Sequence, residues 1–325
     1  MTDSSPVSDF SESELIARIA RHLPQTEEIE LGPGDDCAIV KAGDGRVLVS
    51  TDVLVEDRHF RLDWISAMDL GRRALAQNLA DIAAMGARPT AIVVALTLPG
   101  HTRVAWLEEL AQGMGEASSA AGASVAGGDL VRGEVVSIAV TVMGTMDGAA
   151  PVLRSGARPG DIVAHAGRIG WAAAGLDVLL AGLGGGAAKL EPFVRAHLVP
   201  EPPLRAGIAA REAGASAMLD VSDGFLRDAG RIAAASSVVL DIDQDAIERF
   251  ALELGEAGKE LGVDPSRWVL TGGEDHGLLA TFPPDTKLPG AFTKIGSVKE
   301  PGSGAVVLIS GQPVQLVPGW DHFSG

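Results

Sequence analysis

Aspartates recur in this chain at the ends of apolar runs, beside Gly, Ser or Thr, where carboxylates come to the mouths of buried elements. Asp35 and Asp36 stand in "GPGDD", Asp52 in "VSTDV", Asp129 in "AGGDL", and Asp220 with Asp223 in "LDVSDG". Asp81, in "NLADIAAMG", falls mid-helix, with Asn78 one turn earlier on the same face. Each strand-end residue, taken alone, has a plain reading as a helix cap or an Asx turn. Asp81 does not, because a helix interior offers no orphan backbone donor and a buried carboxylate needs a partner. Five such places in one chain favour a shared cationic centre. Hard oxygen ligands, without a Cys cluster or His at ligand spacing, select magnesium over zinc. Ser50 and Thr51 add hydroxyl oxygens beside Asp52. Magnesium keeps waters and bridges to substrate phosphates, so a set this large implies several ions around a polyphosphate, lying between groups that otherwise repel.

The usual phosphate cradles are missing. No GxxxxGK[ST] occurs, nor the Gly-rich loop, HRD and DFG of protein kinases. "GLGGGAAK" follows a helix rather than a strand, whereas Gly127 and Gly128 in "AGGDLVRG" follow a strand and let backbone approach phosphate. Arg154, in "VLRSGARPGD", reads either as a phosphate contact or as a surface loop arginine. His59 in "VEDRHF" and His276 in "GGEDHG" are candidate acid/base or substrate contacts, with no Ser-His-Asp order around them. Glu274 and Asp275 follow a double glycine, as a turn or a substrate clamp, and Trp320 in "PGWDHFSG" either stacks on a flat ring or folds back on the core. Cys37 opens an apolar run, the setting of a packing cysteine.

Around these residues the chain alternates strand and helix patterns. Residues 1–13 read as a disordered arm before a short amphipathic helix at 14–22, followed by strands "DCAIV" and "RVLVSTDVLVE". Helices are expected over 66–86, ending at Gly86 before Pro89, and over 102–122, with strands at "TAIVVALTLP", "SVAGGDLVRG" and "EVVSIAVTVMGTM". After a composition break at 147–161 come strand "DIVAHAG", helix "GWAAAGLDVLLAGL" and two helical segments between 190 and 214. Strand–turn–helix over 216–235, a strand at 238–242, a helix at 245–261 and three strands between 277 and 309 complete the pattern. The fold class is mixed-sheet α/β, with domains expected at 1–148 and 149–325.

Bulk properties narrow the function. With 43 Asp and Glu against 26 Lys and Arg the net charge is −17, which excludes nucleic acid as a main ligand. Apolar stretches such as 91–99 are far short of a membrane span. The N-terminus has no basic or apolar signal region, and one cysteine forms no internal disulfide, so the cytoplasm is the expected compartment.

Together "GPGDDCAIV", "STDVLVEDRHF", "ALAQNLADIAAMGARP", "GGDLVRG", "LRSGARPGD", "LDVSDGFLRDAGRI", "LTGGEDHGLLATF" and "GWDHF" run in order from about residue 32 to 323. The ordered set resembles the thiamine-monophosphate kinase family, of the superfamily that includes aminoimidazole ribonucleotide synthetase and selenophosphate synthetase. The resemblance implies an aminoimidazole-ribonucleotide-synthetase-like architecture. Its N-terminal α/β domain binds ATP and metal and pairs strands across a homodimer, and its C-terminal α/β domain closes the cleft. It implies transfer of phosphate from ATP to thiamine monophosphate. Carried over by motif, Asp36, Ser50, Thr51, Asp52, Asp81, Asp129, Asp220 and Asp223 would hold magnesium, with Asp52, Asp81, Asp129 and Asp220 catalytic. Gly128, Asp129, Arg154 and Ser222 would meet ATP, and His59, Glu274 and Trp320 the thiamine phosphate; Trp106 would lie near the nucleotide. Many relatives read GGEDYEL where this chain has "GGEDHGLL", so His276 and Gly277 replace an aromatic and an acid. Two alternatives are a sister ATP-using enzyme and a non-catalytic nucleotide-binding regulator. The former would carry a reactive Cys or selenocysteine with a nearby Lys, absent from residues 1–31; the latter would have lost carboxylates that are all present here.

Overall fold

A computed structural model describes residues 5–10, 12–31, 39–185, 188–301 and 306–314. The chain divides into two units, Met1–Ile82 with Ala87–Ala149, and Ala83–Gly86 with Ala150–Gly325. In chain order the first half carries α1 (Glu12–Ala20), β1 (Ile29–Leu31), β2 (Ile39–Val40), β3 (Leu48–Val55), α2 (Ala67–Ala84), β4 (Arg88–Leu98), α3 (Val104–Ala121), β5 (Ser124–Arg132) and β6 (Ser137–Thr145). The second carries β7 (Ile162–Ala166), α4 (Trp171–Leu180), α5 (Glu191–Leu198), α6 (Leu204–Glu212), β8 (Ala217–Val221), α7 (Phe225–Ser236) and β9 (Val239–Ile242). It continues with α8 (Gln244–Glu253), α9 (Gly255–Leu261), α10 (Pro265–Thr271), β10 (Gly277–Phe282), β11 (Phe292–Lys299), β12 (Val307–Ile309) and β13 (Gln312–Pro313).

The first unit is built on a four-stranded sheet of order β3-β6-β4-β5, parallel only between β4 and β5. Its strands alternate: Ile138, Val140 and Val142 are buried, whereas Val49, Thr51 and Val53 on β3 are exposed, Val49 by 62%. One face is thus covered and the other open, the usual arrangement of a largely antiparallel sheet. Leu70, Leu75, Leu79 and Ile82 of α2, with Leu107, Leu110 and Met114 of α3, supply the cover. The two helices touch through glycines, since a Cβ at Gly71 would overlap the Leu110 carbonyl oxygen and one at Gly113 that of Met68.

The arm expected to be disordered is ordered where it is described. Val7 N–H donates to Thr102 O at 2.7 Å, Ser8 N–H to Gly100 O at 3.1 Å, and Ser5 O accepts from Val104 N–H at 2.8 Å. Arg18 lies 4.5 Å from the Phe10 ring centroid, a cation–π contact that the polar composition of the arm conceals.

The second unit holds a seven-stranded sheet of order β13-β12-β9-β11-β7-β10-β8. Every residue of β8 and β10 is buried, because period-2 alternation feeds two cores. Val163, Leu219, Val221 and Leu279 join one, with Phe225, Ile232 and Trp268. Ala164, Ala166, Met218, Leu278 and Ala280 join the other, with Ala206 and Ala210 of α6. The helix expected over 245–261 is broken at Leu254, which is wholly buried and precedes Gly255, a weak helix former. α10 was not expected.

Because the α2–α3 contact leaves no room for a methyl group, Gly113→Ala should destabilise the first unit by about 1–3 kcal/mol. A lower urea midpoint with an unchanged m-value checks this.

Candidate active site

On β3, alternation divides the three consecutive candidates Ser50, Thr51 and Asp52. Ser50 and Asp52 share the helix-covered side, and Ser50 Oγ donates to Asp81 Oδ2 on α2 at 2.5 Å. The strand hydroxyl is therefore a partner for the mid-helix carboxylate. Thr51 faces the open side, where its Oγ1 donates to Val140 O at 3.0 Å and lies 3.1 Å from Thr141 Oγ1. Register carries Asp52 across the sheet through Val140 and Val94 to Gly128. Three strand spacings put the two ends of that row on the order of 14 Å apart. A Cβ at Gly128 would overlap the Val94 carbonyl oxygen, so backbone alone fits there. Asp129 beside it is exposed, with Oδ1 accepting from Leu130 N–H at 2.9 Å. After β3, His59 Nδ1 accepts from Val55 N–H at 3.0 Å, which makes Nε2 the protonated nitrogen of the neutral ring.

In the second unit β8 leads into the turn Ser222-Asp223-Gly224, where glycine is required twice over: φ is +117°, and a Cβ would press on the Thr271 carbonyl oxygen. Asp228, wholly buried on α7, accepts from Ser222 N–H and Asp223 N–H, both at 3.0 Å. Arg231 bridges Asp228 Oδ1 and Asp223 Oδ2 at 2.5 Å each. Burial pushes the Asp228 carboxyl up to about 6, against these donors.

The double-glycine segment runs along the same turn. Glu274 N–H donates to Ser222 O at 2.9 Å and His276 N–H to Val221 O at 3.1 Å. Glu274 and His276 both hold positive φ, +68° and +53°. Between them Asp275 points inward and accepts from Gly170 N–H at 2.6 Å and Ala172 N–H at 2.8 Å, at the N-terminus of α4. Burial pushes its carboxyl up to about 6. His276 Nδ1 lies 3.1 Å from Asp220 Oδ2, with both side chains 6% exposed. A Cβ at Gly277 would come within 2.6 Å of His165 Nε2 and 2.9 Å of the Ala166 and Arg168 carbonyl oxygens. His165 is itself buried, edge-on to Phe250, and burial pushes its imidazole down to about 4, so it is neutral near pH 7.

Asp220, Ser222, Asp223, Glu274 and His276 are thus brought together around one turn, and Ser50 is bonded to Asp81. Arg154 is exposed, its carbonyl accepting from Ser236 Oγ at 2.8 Å, and Trp106 is half-buried on α3. Asp35, Asp36, Cys37 and Trp320 lie outside the described residues. Among the described residues no three His, Cys, Asp or Glu side chains converge to hold a metal ion. The oxygen-only donor set still suits magnesium, which takes one or two carboxylates and completes its shell with water and phosphate. Sequence reasoning did not assign Asp228 and Arg231, although their i, i+3 spacing just after "DG" was a signal.

Residues 34–146 match the family model of the AIR synthase related protein N-terminal domain. The thiamine-monophosphate kinase of Mycobacterium tuberculosis strain H37Rv is 45% identical over 325 residues, 99% of this chain and 94% of that one. That of Escherichia coli K12 is 36% identical, covering 96% and 98%. The solved structure of AaThiL complexed with AMPPCP and TMP is 30% identical, with a TM-score of 0.79, and covers 96% of each chain. Hydrogenase maturation protein HypE in complex with ATP, at 21% identity and a TM-score of 0.73, shares the fold, covering 94% of each chain.

Two stability effects follow from the buried carboxylates. Asp228→Ala strips Arg231 and two backbone N–H groups of an acceptor and should cost roughly 3 kcal/mol, read by denaturant unfolding. Asp275 binds its proton more tightly folded than unfolded, so its contribution is most favourable below about pH 4 and is lost as pH rises through about 6. Relative to Asp275→Asn, the wild type should lose roughly 2 kcal/mol of stability between pH 4 and pH 7.

Proposed function

The chain belongs to the thiamine-monophosphate kinase family, and from that premise we propose how it moves the γ-phosphoryl group of ATP onto thiamine monophosphate. The near-full-length identity of 45% carries the activity; the course of the reaction is argued from chemistry. Transfer is direct and in-line, without a phospho-enzyme, because the acceptor phosphate oxygen is already an anionic nucleophile and needs no strong base. Positioning and charge neutralisation then do the catalysis.

Asp36, Ser50, Asp52, Asp81, Asp129, Asp220 and Asp223 would hold magnesium, several ions in all, whereas the Thr51 hydroxyl is turned to the other face of β3 and bonded to Val140 O. When bound, magnesium supplies the positive charge that lets phosphates approach carboxylates and each other. The span between Asp52 and the Gly128–Asp129 edge of one sheet supports more than one ion. Asp52, Asp81, Asp129 and Asp220 would be the catalytic carboxylates, acting through the ions they hold. Gly128, with no room for a side chain, offers backbone to ATP, with Asp129, Arg154 and Ser222 beside the nucleotide. His59 donates Nε2–H to the thiamine phosphate, and Glu274 and Trp320 also bind it. The open face of the first sheet, with Val49 and Val53 exposed, supports a homodimer, since apolar residues in rows on a sheet are a natural contact surface. A cytoplasmic setting fits the single cysteine, and among the described residues no helix is long and apolar enough to cross a membrane.

Incubation with ATP, Mg²⁺ and thiamine monophosphate should yield equimolar ADP and thiamine diphosphate on chromatography. No product, beside a working control enzyme, overturns the reading. Chirally labelled γ-phosphate should transfer with inversion, and retention would refute direct in-line attack. Asp52→Ala and Asp81→Ala should each lower turnover roughly 100-fold or more with an unchanged thermal midpoint. Near-normal turnover with full magnesium dependence would remove either residue from the metal set.

A further inference from the structure

We propose that His276 is a positioning residue for Asp220, its Nδ1–H fixing the carboxylate so that the remaining oxygen is presented to a divalent ion. The inference rests on the assignment of Asp220 to magnesium. Three observations carry it. The Nδ1–Oδ2 separation is 3.1 Å, and both side chains are 6% exposed, so water competes little for the bond. A carboxylate can only accept, which puts the hydrogen on Nδ1. The residue is held there at a backbone cost, φ +53° in a side-chain-bearing residue, and its own N–H donates to Val221 O at 3.1 Å, next to Asp220 in the chain.

Fixing Oδ2 by a hydrogen bond removes the rotation that would otherwise exchange the two carboxylate oxygens. Outer partners of this kind typically change metal affinity 10–100-fold. The bond is supplied by the imidazole that this chain carries in "GGEDHGLL".

Asn and Gly both tolerate positive φ, which makes them the informative substitutions. Asn keeps a nitrogen donor where Nδ1 stands; Gly removes it. Mn²⁺ binding, in place of Mg²⁺, is followed by electron paramagnetic resonance with the full-length protein and a non-hydrolysable ATP analogue. His276→Gly should weaken Mn²⁺ binding about 10–100-fold, His276→Asn should restore most of it, and KM for thiamine monophosphate should stay unchanged in both. If Asn fails as Gly does, the imidazole is structural and the inference falls. If Gly binds Mn²⁺ like the wild type while Asp220→Asn does not, the inference falls and the Asp220 assignment stands. If Asp220→Asn also binds normally, that assignment falls and takes the inference with it. Should the glycine variant not fold, ¹⁵N-histidine NMR of the wild type decides: a protonated Nδ1 that shifts in Asp220→Asn supports the bond, and a bare Nδ1 overturns it.

Discussion

Burying a carboxylate costs several kcal/mol unless donors replace the lost water, and the second unit buries three within one neighbourhood. Asp220 is answered by His276, Asp228 by two turn amides and Arg231, and Asp275 by two amides opening α4. Those bonds run between β8, the turn after it, α7, the 272–277 segment and α4. The same contacts that make burial tolerable therefore fix where Ser222, Asp223, Glu274 and His276 stand. Positive φ at Glu274 and His276 persists because backbone bonds to Ser222 and Val221 over-determine the segment.

The first unit places a half-buried carboxylate. Asp81 sits on a helix facing a sheet, and Ser50 on that sheet meets it. Strand alternation then sends Thr51 to the other side, so three neighbouring residues in "STD" serve two faces. Gly128 gives the far edge of the sheet a stretch of bare backbone. What reaches phosphate here is set by pleat and register as much as by residue type.

Much of this was legible in the chain. Periodicity located α2, α3 and most strands, and the anomaly of Asp81 inside an apolar helix pointed to a specific partner. Register was not legible, because a four-stranded order needs long-range pairing that no local pattern encodes, so the separation of Asp52 from Gly128 could only come from the structure. The 245–261 helix was read through its break since buried Leu254 keeps the apolar rhythm going past the residue where the helix ends. α10 was overlooked despite an Asp-Pro start, Asp264 accepting from Ser266 N–H with Pro265 at the first helical position. Asp228 was not singled out because its burial depends on the turn folding back over it.

His165 occupies the volume that any side chain at 277 would need, hemmed in by two carbonyl oxygens that cannot yield. In evolutionary terms this closes a route. A side chain cannot be added at that position by one substitution; the imidazole at 165 must give way first, and shrinking it alone would leave a void in a packed core. The two positions are therefore sterically tied, and what one can hold depends on the other.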